Sequence, residues 1–164
     1  MSRNLEGFWI REASKEDTSL ILYFIKELSI YEKLPDEVYA TEEILYNSIF
    51  VEERAKVVFA MEGNKEVGFA LYFYNFSTFT GRPGLYLEDI FILEDYRGKG
   101  YGKAIFAYLA KIAVEENCTR FEWIVLDWNT PSIEFYQSLK AKPMDEWTVY
   151  RLEGEALKTL ANKG

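Results

Sequence analysis

Apolar positions recur every third or fourth residue in some segments and alternate or run continuously in others, and the changeovers divide the chain into helices and strands. "FWIREA" (Phe8–Ala13) reads as a first strand, and "EDTSLILYFIKELSIYEK" as a helix with Leu20, Phe24, Ile25 and Leu28 on its apolar face, ended by Pro35. Thr41 is placed as the N-cap of a shorter helix, with Glu42 and Glu43 favourable in its first turn. "AKVVFAME" and "EVGFALYFYNF" flank Gly63-Asn64 and predict a β-hairpin, followed by a loop, "STFTGRPG". "LYLEDIFIL" (Leu85–Leu93) is nearly continuous in apolar character, the mark of a strand covered on both faces. A helix running to about Asn117 then carries Ile105, Leu109, Ile112 and Ala113 on one stripe. "RFEWIVL" (Arg120–Leu126) reads as another buried strand. "NTPSIEFYQSL" opens a helix capped by Asn129 or Thr130, with Pro131 in its first turn, where a missing N–H costs nothing. "EWTVYRL" reads as a last strand and "EGEALKTLANK" as a terminal helix. The strand–helix–strand run over 85–126 predicts a parallel pair joined by a right-handed crossover. The expected fold is therefore α/β, one domain over residues 1–164 around a mixed central sheet.

Composition changes this picture mainly by exclusion. The chain has no histidine, which removes Ser-His-Asp and Cys-His nucleophilic sites and most zinc sites, so no metal is expected. Acid–base work falls to Glu, Asp, Tyr, Lys or Cys. The single cysteine, Cys118, cannot form an internal disulfide, which fits a reducing, cytoplasmic setting. The formal charge of −8, from 27 acidic and 19 basic residues, has the wrong sign for neutralising nucleic-acid phosphates. No apolar run reaches the roughly 18 to 20 residues of a membrane span, and no secretory leader is read at the start, so neither nucleic acid nor membrane is expected as a partner.

Between the apolar strand and the long helix lies "EDYRGKGYGKA", with glycine at 98, 100 and 102. Glycine-rich strand-to-helix turns expose backbone N–H groups at the positive end of a helix, a site for phosphate that side chains would block. Arg97, Lys99 and Lys103 add positive charge to an otherwise acidic chain. The spacing is short for a Walker loop, whose Ser/Thr is replaced by Ala104, and G-x-G-x-G is not the dinucleotide G-x-G-x-x-G.

Arg97-Gly98-Lys99-Gly100-Tyr101-Gly102 resembles the acetyl-CoA pyrophosphate loop of GNAT N-acetyltransferases. With "LYLEDIFIL", "WNTPSIEFYQSL" and "IKELSIYEK", the chain looks like the branch containing spermidine/spermine and thialysine acetyltransferases, over roughly residues 8–152. The resemblance implies a GNAT-like domain in which the parallel strand pair splays apart beside flanking helices. It implies acetyl-CoA as cosubstrate, with pyrophosphate on the amides of Gly98, Lys99, Gly100, Tyr101, Gly102 and Lys103, pantetheine along Ile90, Phe91 and Ile92, and Asn129, Pro131 and Ser132 beside the coenzyme. It assigns Tyr136 as general acid and Glu88 to the amine substrate, either contacting it or deprotonating it through water. Tyr31, Glu32 and Glu146 match amine-contacting positions, and members of the branch are commonly homodimers.

Glu88 and Asp89 stand out without any family. Adjacent carboxylates in an apolar strand should point to opposite faces, and desolvation raises a carboxyl pKa towards that of a useful base. A primary amine of pKa about 10.4 is only about 0.04% neutral at pH 7, so a site that binds the cation and removes its proton answers a chemical need. Two features depart from the family pattern. Lys140 stands where the tyrosine helix usually ends in glycine, and "STFTGRPG" differs from the aromatic-rich loop of polyamine enzymes. The expected activity is acetyl transfer to a polyamine, diamine or thialysine-like amine. The alternatives are another GNAT acceptor (an amino acid, drug amine or protein N-terminus) and a non-catalytic CoA-binding module.

Overall fold

The computed structural model describes residues 5–164. Chain contacts divide it into a first unit ending at Ile124 and a second from Val125 to Gly164.

The first unit is built on a five-stranded sheet in the order β1-β2-β3-β4-β5. β1 (Phe8–Glu12), β2 (Lys56–Glu62), β3 (Lys65–Ser77) and β4 (Arg82–Ile92) are successively antiparallel. β5 (Phe121–Trp123) runs parallel to β4, as the crossover predicts, with Leu85 opposite Phe121 and Leu87 opposite Trp123. Pairing with β5 stops there, while β4 continues to Ile92.

Helices cover both faces. The alternate residues Val57, Phe59 and Met61 of β2 meet Ile21, Phe24 and Leu28 of α1 (Thr18–Tyr31). Phe24 is fully buried and stacks 5.5 Å from Phe69, worth roughly 1.5–3 kcal/mol of transfer free energy. Thr41 caps α2 (Glu42–Tyr46) as expected, accepting from the Ile44 N–H, and the chain continues as a π-turn to Val51. α3 (Tyr101–Glu115) carries Phe106 onto the Phe121 and Trp123 rings, at 5.7 and 4.9 Å.

Left-handed residues mark the helix ends, the first earlier than expected and the second about where expected. α1 stops before Lys33 (φ 64°), four residues short of Pro35, and α3 stops before Asn117 (φ 59°). The expected loop "STFTGRPG" is half strand. Ser77 closes β3, Arg82–Gly84 open β4, and only residues 78–81 turn.

The second unit holds α4 (Thr130–Ser138) and α5 (Gly154–Ala161). Asn129 is the cap of α4, its side-chain oxygen accepting from the Ser132 N–H at 3.4 Å, with Pro131 in the first turn. Lys140 ends this helix at φ 63°, with Lys140 N–H on Gln137 O and Ala141 N–H on Tyr136 O. A left-handed lysine costs roughly 1–2 kcal/mol relative to glycine. Lys140→Gly is accordingly expected to raise stability by about 1 kcal/mol, read from the urea midpoint.

Two expected strands require correction. "RFEWIVL" is reduced to Phe121–Trp123, and "EWTVYRL" forms no strand. Strands exist through ladder hydrogen bonds to a neighbour, and neither residues 124–126 nor 146–152 make a ladder.

Candidate active site

β4 carries the residues that sequence singles out, and one irregularity decides how they are presented. Leu71 of β3 pairs with Asp89 and Tyr72 with Leu87, so Glu88 is an extra residue without a partner. This β-bulge breaks the strict alternation expected of adjacent carboxylates and re-aims their side chains.

The end of α1 supplies the third carboxylate. Leu34 N–H bonds to Ser29 O and Lys33 N–H to Ile30 O, a closing turn that fixes Glu32 as the helix C-cap. Glu32 and Asp89 are part-buried, and Glu88 is exposed. Burial, then the charges of Glu88 and Glu32, push the Asp89 carboxyl up from 3.8 to about 7. Burial and the Glu88 charge likewise raise Glu32. The charges that shift Glu32 and Asp89 are those of neighbouring carboxylates. Desolvating like-charged carboxylates is costly, so the cluster favours a cation or a proton, with Asp89 titrating near neutrality.

The glycine loop adjoins this cluster through Arg97. Its guanidinium lies 4.9 Å from the Tyr31 ring and 5.1 Å from the Phe91 ring, and its Nε donates to Ile92 O at 2.8 Å. Tyr31 precedes Glu32, and Phe91 follows Asp89 by two positions, so the loop is tied to both carboxylate-bearing elements. Gly98 (φ 78°) and Gly100 (φ 89°) are left-handed, and a Cβ at Gly98 or Gly102 would meet open space. Gly100 is the N-cap of α3 and provides no side-chain cap, leaving the amides of Tyr101, Gly102 and Lys103 at a helix start that suits a diphosphate.

The other loop side chains divide between site and scaffold. Lys99 pairs with Glu62 at 3.4 Å, which offsets part of the charge expected of the loop. Tyr101 is buried and stacks 4.5 Å from Phe8, so only its amide belongs to the loop. Lys103 is exposed, and Ile90 and Ile92 are half-buried on β4.

In the second unit, Asn129, Pro131 and Ser132 form the start of α4, Tyr136 lies within that helix with its ring 5.7 Å from Phe135, and Glu146 occupies an exposed turn. Sequence reading missed the bulge at Glu88 and the stacking role of Arg97. The first is a matter of pairing register, which one strand read alone does not reveal. The second needed Tyr31, Phe91 and Arg97 to meet across three elements.

A mixed sheet whose parallel pair stops short, followed by an uncapped glycine-rich helix start, has the layout of an acyltransferase whose donor carries a diphosphate. The chain belongs to the acetyltransferase (GNAT) family, whose model matches residues 20–140. It is similar to a thialysine N-epsilon-acetyltransferase of Sus scrofa, 40% identical over 94% of this chain and 97% of that protein. A human spermidine/spermine N(1)-acetyltransferase-like protein 1 is 30% identical over 96% of this chain, which spans 24% of that longer protein. Among solved structures, an integron cassette protein from the mobile metagenome of V. cholerae is similar, with 33% identity, a TM-score of 0.80 and coverage of 94% of this chain and 98% of that one. The chain is thus an acetyl-CoA-dependent amine N-acetyltransferase. Among the described residues, no helix is long and apolar enough to cross a membrane.

Proposed function

We propose that this enzyme acetylates the primary amine of a small polyamine, diamine or thialysine-like amino acid by direct attack within a ternary complex. The observation that carries the reading is the cluster of Glu32, Glu88 and Asp89, in which burial and the charges of neighbouring carboxylates raise the Glu32 and Asp89 carboxyls. Such a cluster selects a cationic acceptor. Two relatives that match nearly all of this chain, one named for thialysine and one, a much longer protein, for spermidine/spermine, support the same acceptor class.

Residues 1–164 are read as one catalytic domain because the family match runs across both units. The amides from Gly98 to Lys103 hold the pyrophosphate, the Ile90–Ile92 backbone pairs with the pantetheine arm, and the start of α4 at Asn129, Pro131 and Ser132 lines the coenzyme. Acetyl-CoA supplies the acetyl group as a reactive thioester. Tyr31, Glu32, Glu88 and Glu146 hold the amine. A carboxylate oxygen of Asp89 takes its proton, with Glu88 assisting directly or through water and raising the proton affinity of Asp89. N–H groups on the Phe91–Ile92 side polarise the carbonyl. The Tyr136 hydroxyl donates its proton to the departing thiolate.

The test is a panel of amines with acetyl-CoA, read as free-thiol release. Spermidine, putrescine or thialysine is expected to give turnover well above the rate without amine. All three inert, with an ordinary amino acid, drug amine or peptide N-terminus acetylated, would move the acceptor elsewhere. Slow thioester loss with every amine, despite tight coenzyme binding, would mark a non-catalytic module.

A further inference from the structure

Gly68 interrupts the apolar run of β3, where a glycine weakens the strand and marks a close approach of backbone. The approach is to the end of β4. Gly68 lies opposite Ile92 in the antiparallel ladder, and a Cβ at Gly68 would stand 2.6 Å from the Phe91 carbonyl oxygen and 2.5 Å from Ile92 Cδ1. Gly68 is not left-handed, so space rather than φ excludes a side chain there. Ile92 Cδ1 ends a flexible side chain and can turn aside, whereas the Phe91 oxygen is fixed in the backbone. The ladder shows what that oxygen is attached to. Leu85 N–H bonds to Arg120 O beside β5, and Leu93 N–H to Val67 O on β3. Backbone groups alternate in direction along a strand, so Ile92, one residue before Leu93, directs its N–H and C=O away from β3. The extra residue at Glu88 switches the outward groups from Leu85 and Leu87 to Ile90 and Ile92. They face the side that β5 leaves open, because its pairing ends at Leu87. Ile92 N–H and Phe91 C=O belong to one planar trans peptide and point in opposite directions. The oxygen seated against Gly68 is thus the other end of the peptide that presents Ile92 N–H outward.

We propose that Gly68 is a positioning residue for acetyl transfer: its bare Cα seats the Phe91 oxygen against β3 and thereby aims the Ile92 N–H at the thioester carbonyl. This role rests on the proposed mechanism, in which N–H groups on the Phe91–Ile92 side polarise that carbonyl. A methyl group at Gly68 forces the oxygen back from 2.6 Å to at least 3.0 Å, and the rigid peptide carries its N–H along. A donor stabilises a developing oxyanion only within a narrow range, about 2.7–3.1 Å, and misplacements of about 1 Å cost up to about a hundredfold in rate. The amides that hold the diphosphate, from Gly98 to Lys103, belong to a different segment, so coenzyme affinity is largely spared.

The experiment compares Gly68→Ala, Ile92→Val and the double variant by thiol release, CoA binding, melting temperature and ¹H–¹⁵N amide shifts. Gly68→Ala is expected to lower kcat about ten- to a hundredfold, with little change in CoA affinity and a lower melting temperature. Ile92→Val removes Cδ1, the side-chain half of the clash, and leaves the Phe91 oxygen in place. In that background Gly68→Ala is expected to regain stability yet still lower kcat by a similar factor relative to Ile92→Val. If Gly68→Ala alone fails to fold, this pair carries the same comparison. Turnover that returns together with stability in the double variant would show a packing role only and overturn the proposal. The amides of Phe91 and Ile92 separate two further failures. Wild-type kcat in Gly68→Ala with both amides unmoved overturns the steric claim. Wild-type kcat with both amides displaced also overturns the role of Gly68, and removes carbonyl polarisation at Phe91–Ile92 from the mechanism.

Discussion

Tyr136→Phe is expected to lower kcat with the best acceptor by about a hundred- to ten-thousandfold, the span of general acid catalysis by a positioned side chain, while acetyl-CoA affinity changes little. The substitution removes one hydroxyl and keeps the ring, so the contact with Phe135 at 5.7 Å survives. The helix also retains its Asn129 cap and Pro131 start. A loss in turnover without a loss in coenzyme binding is the signature of an interaction made only as the thiolate departs. Coenzyme binding is read by tryptophan fluorescence and turnover by thiol release. Wild-type turnover in this variant would remove Tyr136 from the mechanism and leave solvent as the proton source.

Asp89→Asn is expected to have two effects of opposite sign. Acceptor turnover at pH 7 should fall about a hundredfold, because an amide cannot take a proton from the bound ammonium. Stability at alkaline pH should rise. Burial and the charges of Glu88 and Glu32 raise this carboxyl from 3.8 to about 7, so the folded state favours the neutral form. The resulting ionisation penalty is absent below about pH 4, grows as pH rises, and is complete above about pH 7. A shift of this size corresponds to about 4 kcal/mol at full ionisation, of which an imperfectly accommodated amide recovers a part. The melting temperature of Asp89→Asn should thus exceed that of the wild type at pH 8 and match it at pH 4. Equal melting temperatures at both pH values would mean that Asp89 is solvated and unsuited to the role of base.

Much of the candidate site could be proposed from sequence because its residues lie in local stretches. The "RGKGYG" loop, the Asn129 cap and the Glu88-Asp89 pair depend on neighbours within a few residues. The apolar spacing of α1 and α3 and the hairpin at Gly63-Asn64 followed from periodicity alone. What sequence did not reveal depends on pairing between distant segments. The bulge at Glu88 exists only in register with Leu71 and Tyr72, and it groups carboxylates that alternation would separate. Residues 146–152 have strand-like side chains, but a ladder requires a neighbour that periodicity cannot name. Left-handed Lys33 and Lys140 end helices where proline and glycine were the sequence signals, and left-handed Asn117 ends α3 about where the periodicity placed it. Each leaves its helix through backbone hydrogen bonds to the last turn rather than through residue preference.

In the proposed mechanism the carboxylate cluster makes a bound ammonium nucleophilic. Its most direct test is kcat/KM of the wild-type enzyme against pH for the best amine of the panel. A cluster with a proton acceptor at about 7 predicts a rate that climbs nearly tenfold per unit below that value and levels off above it, well before the amine's own titration near about 10.4. A profile that stays flat through neutrality, or rises steadily to the amine's own pKa, would contradict it.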